Sequence, residues 1–309
     1  MLDILGKRYL FFAISALLIF PGLIIMAIFG LPLSIDFEGG TLLDISFASG
    51  NLPSTEQVVG VYNEFGFTDA KPTSASDGVM LIRSAFMDEV QLANVVTRLE
   101  EVTGDQITVR RSDSVGPTIG REVTTRAAFA VGLAAMAVII YITMAFRGVQ
   151  HSFRYGICAI IAMFHDVLVV LSLSAIGGQL FGWQVDALFL TALLSVIGFS
   201  VQDKVVVFDR IRENSTIYRR LPFETLANHS IVQTLQRSIN TQLMTVEYML
   251  LALALFGGVT LREFAVILLV GLFMGTYSSI FIAAPILVIW ETKEWKNWFG
   301  RRNRTASTT

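Results

Sequence analysis

Ionisable side chains inside long apolar runs are the residues of this sequence most able to do chemistry. His165 and Asp166 are adjacent in one run, Asp203 and Lys204 are adjacent in the next, and Glu247 lies in a third. On insertion scales a charged side chain at the centre of a membrane helix costs about 2.5–3.5 kcal/mol, so such a group faces a bundle interior, a partner or a water-filled path. These positions therefore indicate ion traffic through a helix bundle.

Most of these groups also have a structural interpretation, which the sequence leaves open. Asp203 is consistent with a helix-end carboxylate that reaches toward the membrane interface. His165 and Asp166 are equally consistent with a hydrogen-bond clamp between two helices. Arg237, near the start of a further apolar run, is consistent with a charge that only sets orientation.

Lys204 needs a partner of its own. Adjacent residues lie about 100° apart around a helix, so Asp203 and Lys204 are expected to face different neighbours. The estimated depths of Lys204 and Glu247 differ by roughly the reach of a lysine side chain. Because both charges are otherwise uncompensated, we predict an ion pair between Lys204 and Glu247 across two helices.

The elements that carry these residues must be membrane helices, because the composition excludes an ordinary soluble enzyme. The 309 residues are 53% hydrophobic and 16% charged, with a mean hydropathy of +0.62. In soluble domains, roughly a quarter of the residues are charged. A span needs about 20 mostly apolar residues. Four stretches contain no Asp, Glu, Lys or Arg, namely 9–35, 127–146, 167–185 and 264–290. The chain is predicted to cross the lipid bilayer several times.

Several function classes find no support in the sequence. The net charge of −2 gives no indication of nucleic-acid binding. Cys158 is the single cysteine, which excludes an intrachain disulfide and a cysteine-based metal or redox pair. The nucleotide-binding pattern G-x-x-x-x-G-K-[ST] and the metalloprotease pattern H-E-x-x-H do not occur. We therefore expect no metal, no cofactor and no enzymatic activity.

Six helical spans are predicted, at about 9–30, 124–146, 154–176, 185–208, 238–256 and 263–290. Most Lys and Arg residues outside the inserted polar segment lie in segments on the same side of the membrane as the N-terminus. The two short turns on the other side contain a single basic residue, Arg262. This asymmetry places both termini in the cytoplasm, in an inner-membrane protein. Gly271 and Gly275 form a G-x-x-x-G pattern typical of close helix packing.

A polar segment between the first two spans is expected to form an extracytoplasmic α+β domain. Thr41–Phe47 alternates like a strand, and Ser54 with Gln57 predicts a capping box at the start of a helix. The order β-α-β-β-α-β indicates a ferredoxin-like fold. The predicted organisation is 1–30 for the N-terminus and first span, 31–121 for the inserted domain, 122–291 for a five-helix bundle and 292–309 for a basic cytoplasmic tail.

A series of short motifs occurs in an order that resembles the SecF family, the smaller membrane subunit of SecDF protein-export complexes. The resemblance runs from about residue 8 to 292 and implies a bundle of the resistance–nodulation–division type. The motifs are Asp36-Phe37-Glu38-Gly39-Gly40, Val115-Gly116-Pro117 with the residues through Glu122, His165-Asp166, the stretch from Gly198, and its end at Asp209-Arg210-Ile211-Arg212-Glu213-Asn214.

The resemblance implies that Asp203 carries ions in a relay and that Arg237 modulates it. It also implies SecD, the SecYEG translocon with SecA, and unfolded preprotein as partners, with ion flow driving a late step of export. Lys204 and Glu247 depart from the family pattern, which leaves the coupling ion, H⁺ or Na⁺, open.

Two other functions remain to be weighed against this one. They are one half of a solute or lipid transporter, and a structural scaffold without ion coupling. The small size of the inserted domain disfavours the transporter, because exporters of this superfamily carry much larger ones. In a scaffold, Asp203 and Arg237 would be silent.

Overall fold

The protein is described by a computed structural model that covers residues 3–74, 78–147, 152–243, 248–256 and 259–296. A short 3₁₀ turn, Leu5–Lys7, precedes the first helix. The elements then follow as α1 (Arg8–Phe29), α2 (Ile35–Glu38), β1 (Gly40–Phe47), α3 (Thr55–Glu64), β2 (Lys71–Ser74), β3 (Val79–Ser84), α4 (Glu89–Thr103), β4 (Ile107–Val115), α5 (Pro117–Ala145), α6 (Ser152–Phe181), α7 (Ala187–Ile217), α8 (Phe223–Gln242), α9 (Tyr248–Phe256), α10 (Val259–Ser278), a π-helical turn (Ser279–Ala283) and α11 (Ala284–Glu291).

The chain is divided into two compact units. The inserted unit comprises Pro32–Ala130 and Gln184–Ala187. The helical unit comprises Met1–Leu31, Val131–Trp183 and Leu188–Thr309. The inserted unit thus includes a second, short segment between α6 and α7 as well as the polar stretch after the first helix. Ser34 N donates to the Val185 carbonyl at 2.9 Å and ties this segment to the start of the unit.

The inserted unit is a four-stranded antiparallel sheet with two helices on one face. The strand order is β2-β3-β1-β4, and the elements from β1 to β4 follow in the predicted order. Alternate residues of β1, Leu43, Ile45 and Phe47, are buried against α3 and α4, as the period of a half-buried strand requires. The predicted capping box at Ser54 is confirmed, because its side chain accepts from Gln57 N and Gln57 reaches back to Ser54 N.

The Gly39-Gly40 segment forms a tight joint between α2 and β1. Both glycines have positive φ, 80° and 128°, a conformation that favours glycine. A Cβ on Gly40 would lie 2.6 Å from the Ser84 carbonyl oxygen, and one on Gly39 would lie 2.9 Å from Pro117 Cα. Asp36 of the same motif accepts from Ala187 N at 3.1 Å, at the first residue of α7. The motif therefore organises the inserted unit.

Within the described residues, five helical stretches are long and apolar enough to cross a membrane, namely Leu5–Phe29, Pro117–Ala145, Phe153–Phe181, Ala187–Ile217 and Leu261–Glu291. The predicted span at 238–256 coincides with the end of α8 and with α9, and residues 244–247 between them lie outside the described part.

Two helices extend farthest beyond the predicted spans. Helix α7 extends to Ile217 rather than ending near 208, and α8 begins at Phe223 rather than near 238. Both additions are amphipathic rather than apolar. On α8, for example, Leu226, Ala227, Ser230 and Ile231 form the buried face. A search for apolar runs detects membrane spans but misses such helices, because their apolar residues recur with the 3.6-residue period on one face only.

Close helix crossings in the helical unit depend on glycine. Gly271 on α10 faces Val196 and Val170, and a Cβ on Gly275 would lie 3.2 Å from Ser200 Cα on α7. The tightest crossing joins α1 to α6, where a Cβ on Gly22 would clash with the backbone and side chain of Ser172. The Ser172 hydroxyl also donates toward the Leu18 carbonyl at 3.1 Å. Small residues let helix backbones approach in this way.

Replacing Gly22 by Ala is expected to destabilise the helical unit by about 1–3 kcal/mol, because the added methyl overpacks the α1–α6 crossing. Unfolding of the purified chain in mild detergent measures this loss. Gly132→Ala on α5 is the matched control, since no described atom lies within 4 Å of the position its Cβ would take. Equal stability of the two variants would contradict the assigned crossing.

Candidate functional site

Helix α7 directs two adjacent side chains into two different polar clusters of the helical unit. Asp203 contacts Ser238 and Ser279, and we call these three residues the Asp203 cluster. Lys204 contacts Asp166 and Ser200, which with Ser278 and His165 form the Asp166 cluster. The expectation that Asp203 and Lys204 face different neighbours therefore holds in the structure.

In the Asp203 cluster, two neutral hydroxyls hold the carboxylate. Ser238 Oγ of α8 donates to Oδ1 at 2.7 Å, and Ser279 Oγ of the π-helical turn donates to Oδ2 at 2.5 Å. Both serines are buried, whereas Asp203 is half-buried. No described cation lies within ion-pair distance of Asp203, although ion pairs are found elsewhere in the described residues. Within the described residues, hydrogen bonds and not an ion pair therefore hold this carboxylate.

A buried ion pair lies at the centre of the Asp166 cluster. Lys204 Nζ donates to Asp166 Oδ2 at 2.7 Å, and the side chains of Lys204 and Asp166 are 0% and 1% exposed. Ser278 Oγ donates to the same carboxylate oxygen at 2.8 Å, and Ser200 Oγ contacts both charged groups. A buried charge is stable only when paired and hydrogen-bonded, and both conditions are met here.

His165 completes the second cluster on its far side. His165 Nδ1 lies 3.0 Å from Asp166 Oδ1, and the imidazole stacks on the Tyr277 ring with centroids 6.3 Å apart. The Tyr277 hydroxyl donates to the Phe11 carbonyl at 2.9 Å, which joins the cluster to α1. Within the described residues, His165 Nε2 is buried without a hydrogen-bond partner.

The two clusters are linked twice through adjacent residues. Asp203 and Lys204 are neighbours on α7, and Ser278 and Ser279 are neighbours at the change from α10 to the π-helical turn. Single π-helical turns inside α-helices are rare and often occur at functional sites. A movement of α7 against this turn would therefore alter both carboxylates together.

Four serines of these clusters, Ser200, Ser238, Ser278 and Ser279, were not among the predicted site residues. Serine in a membrane helix usually bonds its own backbone or packs at a crossing, so its type alone carries little information. The available signals were the Ser278-Ser279 pair inside the run 264–290 and the position of Ser200 in the motif stretch from Gly198. The contact with a carboxylate on another helix becomes visible only in three dimensions.

The remaining predicted residues lie elsewhere. Arg237 is exposed, and its neighbour Ser238 supplies the contact of α8 with Asp203. Lys204 pairs with Asp166, whereas the predicted contact of Lys204 with Glu247 falls outside the described residues. The other motif charges form exposed pairs along α7, Arg212 with Asp209 at 2.6 Å and Arg210 with Glu213 at 2.6 Å.

The described residues contain no group of three or more His, Cys, Asp or Glu side chains placed to hold a metal ion. The chemistry that the arrangement supports is proton or cation exchange on carboxylates. Of the two carboxylates, Asp203 is half-buried and bonded to hydroxyls, whereas Asp166 is buried and paired with Lys204.

Comparison with known proteins gives consistent matches along the chain. The family described as "Protein export membrane protein SecD/SecF, C-terminal" matches residues 94–293, and the "SecD/SecF GG Motif" matches residues 24–50. The chain is 72% identical to the protein translocase subunit SecF of Anaerolinea thermophila, over 99% of this chain and 100% of that protein.

Larger relatives match over part of their length. The protein translocase subunit SecDF of Bacillus subtilis is 32% identical over 95% of this chain, which spans 39% of that protein. The crystal structure of SecDF from Thermus thermophilus superposes with a TM-score of 0.81 at 32% identity, covering 94% of this chain and 39% of that one. The present chain is therefore similar to one portion of each SecDF chain.

Proposed function

This chain belongs to the SecD/SecF family of protein-export membrane proteins, and from this premise we propose that it works with SecD to assist a late step of preprotein export. In this proposal the chain uses the proton motive force and acts beside the SecYEG channel and its ATPase SecA. SecD is the partner because relatives join both portions in one SecDF chain, of which this chain matches 39%.

The observation that carries this proposal is the environment of Asp203. A half-buried carboxylate in a membrane bundle, held by two hydroxyls and by no cation of the described part of the chain, is suited to change its charge. One elementary charge that crosses 100 mV releases about 2.3 kcal/mol. That energy is sufficient to shift a bistable element of the protein appreciably.

Arg237, Lys204 and Glu247 have secondary roles in this proposal. Arg237 lies on the exposed side of α8, next in sequence to Ser238, and supplies a positive potential near Asp203. Lys204 holds Asp166 in a buried ion pair, so that only Asp203 exchanges protons. Glu247 is retained as a candidate member of the relay on the strength of its type and position in the sequence.

The finer architecture belongs to the same proposal. We assign six membrane helices, with the sixth formed around residues 238–256, and cytoplasmic N- and C-termini in the inner membrane. The strand order β2-β3-β1-β4 with two helices on one face favours a ferredoxin-like fold for the inserted unit. This unit would be extracytoplasmic and would contact emerging preprotein. Helix α7, which begins at Ala187 and carries Asp203, is the element through which proton exchange would reach it.

An export assay with the complete complex tests this function. Vesicles containing SecYEG and SecD, with or without this chain, are loaded with a preprotein arrested late in translocation, and ATP is then removed. A proton gradient imposed at that stage is expected to move the preprotein forward only when the chain is present. Equal movement without the chain would contradict the proposed role, and movement that requires the chain but no gradient would indicate a scaffold.

A further inference from the structure

Among the described residues, three oxygens lie within hydrogen-bond distance of the Lys204 ammonium. They are the Asp166 carboxylate oxygen at 2.7 Å, the Ser200 carbonyl at 3.4 Å, and the Ser200 hydroxyl. An ammonium group has three N–H donors and no acceptor. Its donors and the oxygens therefore match in number, and the side chain is 0% exposed.

The oxygens around Lys204 are also the ligand types that hard metal cations take. Carboxylate, carbonyl and hydroxyl oxygens coordinate such cations in proteins. The set carries one formal negative charge, that of Asp166, and this charge suits a monovalent cation. Ser278, which donates to the same Asp166 oxygen, holds the carboxylate in place from a third helix.

We propose that the Lys204 ammonium is a tethered cation that fills an alkali-ion site formed by Asp166 and Ser200 and thereby excludes Na⁺ from it. A covalently attached group competes at a high effective concentration, so dissolved Na⁺ does not displace it. The helical unit supplies its own positive charge at this position and needs no metal ion there. This inference concerns the Asp166 cluster alone and holds whether or not Asp203 carries protons.

Removal of the lysine side chain tests the inference. In Lys204→Ala the stem and ammonium are absent, and the oxygens are left facing an open, negatively charged space. We measure the thermal midpoint of the purified full-length chain in NaCl and in choline chloride at equal ionic strength, since choline is too large to enter. Lys204→Met fills the space with an apolar side chain of similar length, and Lys204→Ala combined with Asp166→Asn removes the charge of the site.

The expected result is a Na⁺-specific rise in the midpoint of Lys204→Ala of about 3 °C at ~0.3 M salt, the size that saturable binding to the folded state produces. Methylammonium, which resembles the missing group, is expected to do the same. The wild-type chain, Lys204→Met and the double variant are expected to show no difference between the two salts.

Three outcomes would overturn the inference. The first is a Lys204→Ala midpoint that is equal in NaCl and choline chloride, which would show that Asp166 takes a proton instead. The second is a response to methylammonium but not to Na⁺. If Lys204→Ala does not fold in any salt, the wild-type chain decides. The third contradicting outcome is then a Na⁺-specific shift of the wild-type midpoint that is absent from the double variant, because the site would admit Na⁺ beside Lys204. Equal wild-type midpoints in the two salts would uphold the exclusion.

Discussion

Replacing Lys204 by Met is expected to lower the free energy of unfolding by about 3–5 kcal/mol, the usual cost of removing one partner of a buried ion pair. The substitution keeps the length of the side chain but leaves Asp166, which is 1% exposed, without its counter-charge. The hydroxyls of Ser200 and Ser278 still donate to the carboxylate, but neutral donors do not compensate a full charge in a dry interior.

A double-mutant cycle separates this pair from simple packing. Asp166→Asn combined with Lys204→Met is expected to be more stable than either single variant, because no uncompensated charge remains. Additive losses would contradict the pairing. Arg212→Met on the same helix is the matched control, since its pair with Asp209 is exposed and such pairs contribute about 0–1 kcal/mol.

Asp203→Asn is expected to abolish proton-driven forward movement of preprotein while leaving the fold nearly intact. Asparagine has almost the same shape as aspartate and still offers one oxygen to Ser238 or Ser279, but it cannot take up a proton. The energy lost is that of one charge crossing the membrane, about 2.3 kcal/mol at 100 mV, which corresponds to about 50-fold in an equilibrium. The vesicle assay with ATP removed measures this loss.

Two further variants show whether the loss of movement comes from the titratable group at position 203. Asp203→Glu retains a titratable group and is expected to keep part of the movement, reduced because the longer side chain disturbs the contacts with Ser238 and Ser279. Asp209→Asn removes an exposed carboxylate from the same helix and is expected to behave as wild type. Normal movement in Asp203→Asn would support the scaffold function instead.

Local features of the fold could be predicted from the sequence because short-range rules determine them. The capping box at Ser54 and the alternation along β1 follow from the side chains themselves. The different surroundings of Asp203 and Lys204 follow from helix geometry alone. The long apolar helices were visible because a span needs a run of apolar residues of sufficient length.

Contacts between distant segments could not be predicted in the same way. Lys204 pairs with Asp166, 38 positions earlier, on a helix whose rotation about its own axis the sequence does not define. Depth estimates from residue counts led to Glu247 as the predicted partner, and that contact falls outside the described residues. Such estimates give the position along a helix but not the face presented. Helix α8 was predicted to start too late, since half-polar helices lack the apolar run that marks a span.

Proton flux through the reconstituted complex is the most direct test of the account. Vesicles that contain SecD and this chain are placed in a pH gradient with a membrane potential, and the internal pH is followed. Proton entry is expected with wild type and not with Asp203→Asn, and the wild-type flux is expected to be independent of Na⁺. Equal flux in wild type and Asp203→Asn would contradict the assignment of Asp203 as the proton carrier.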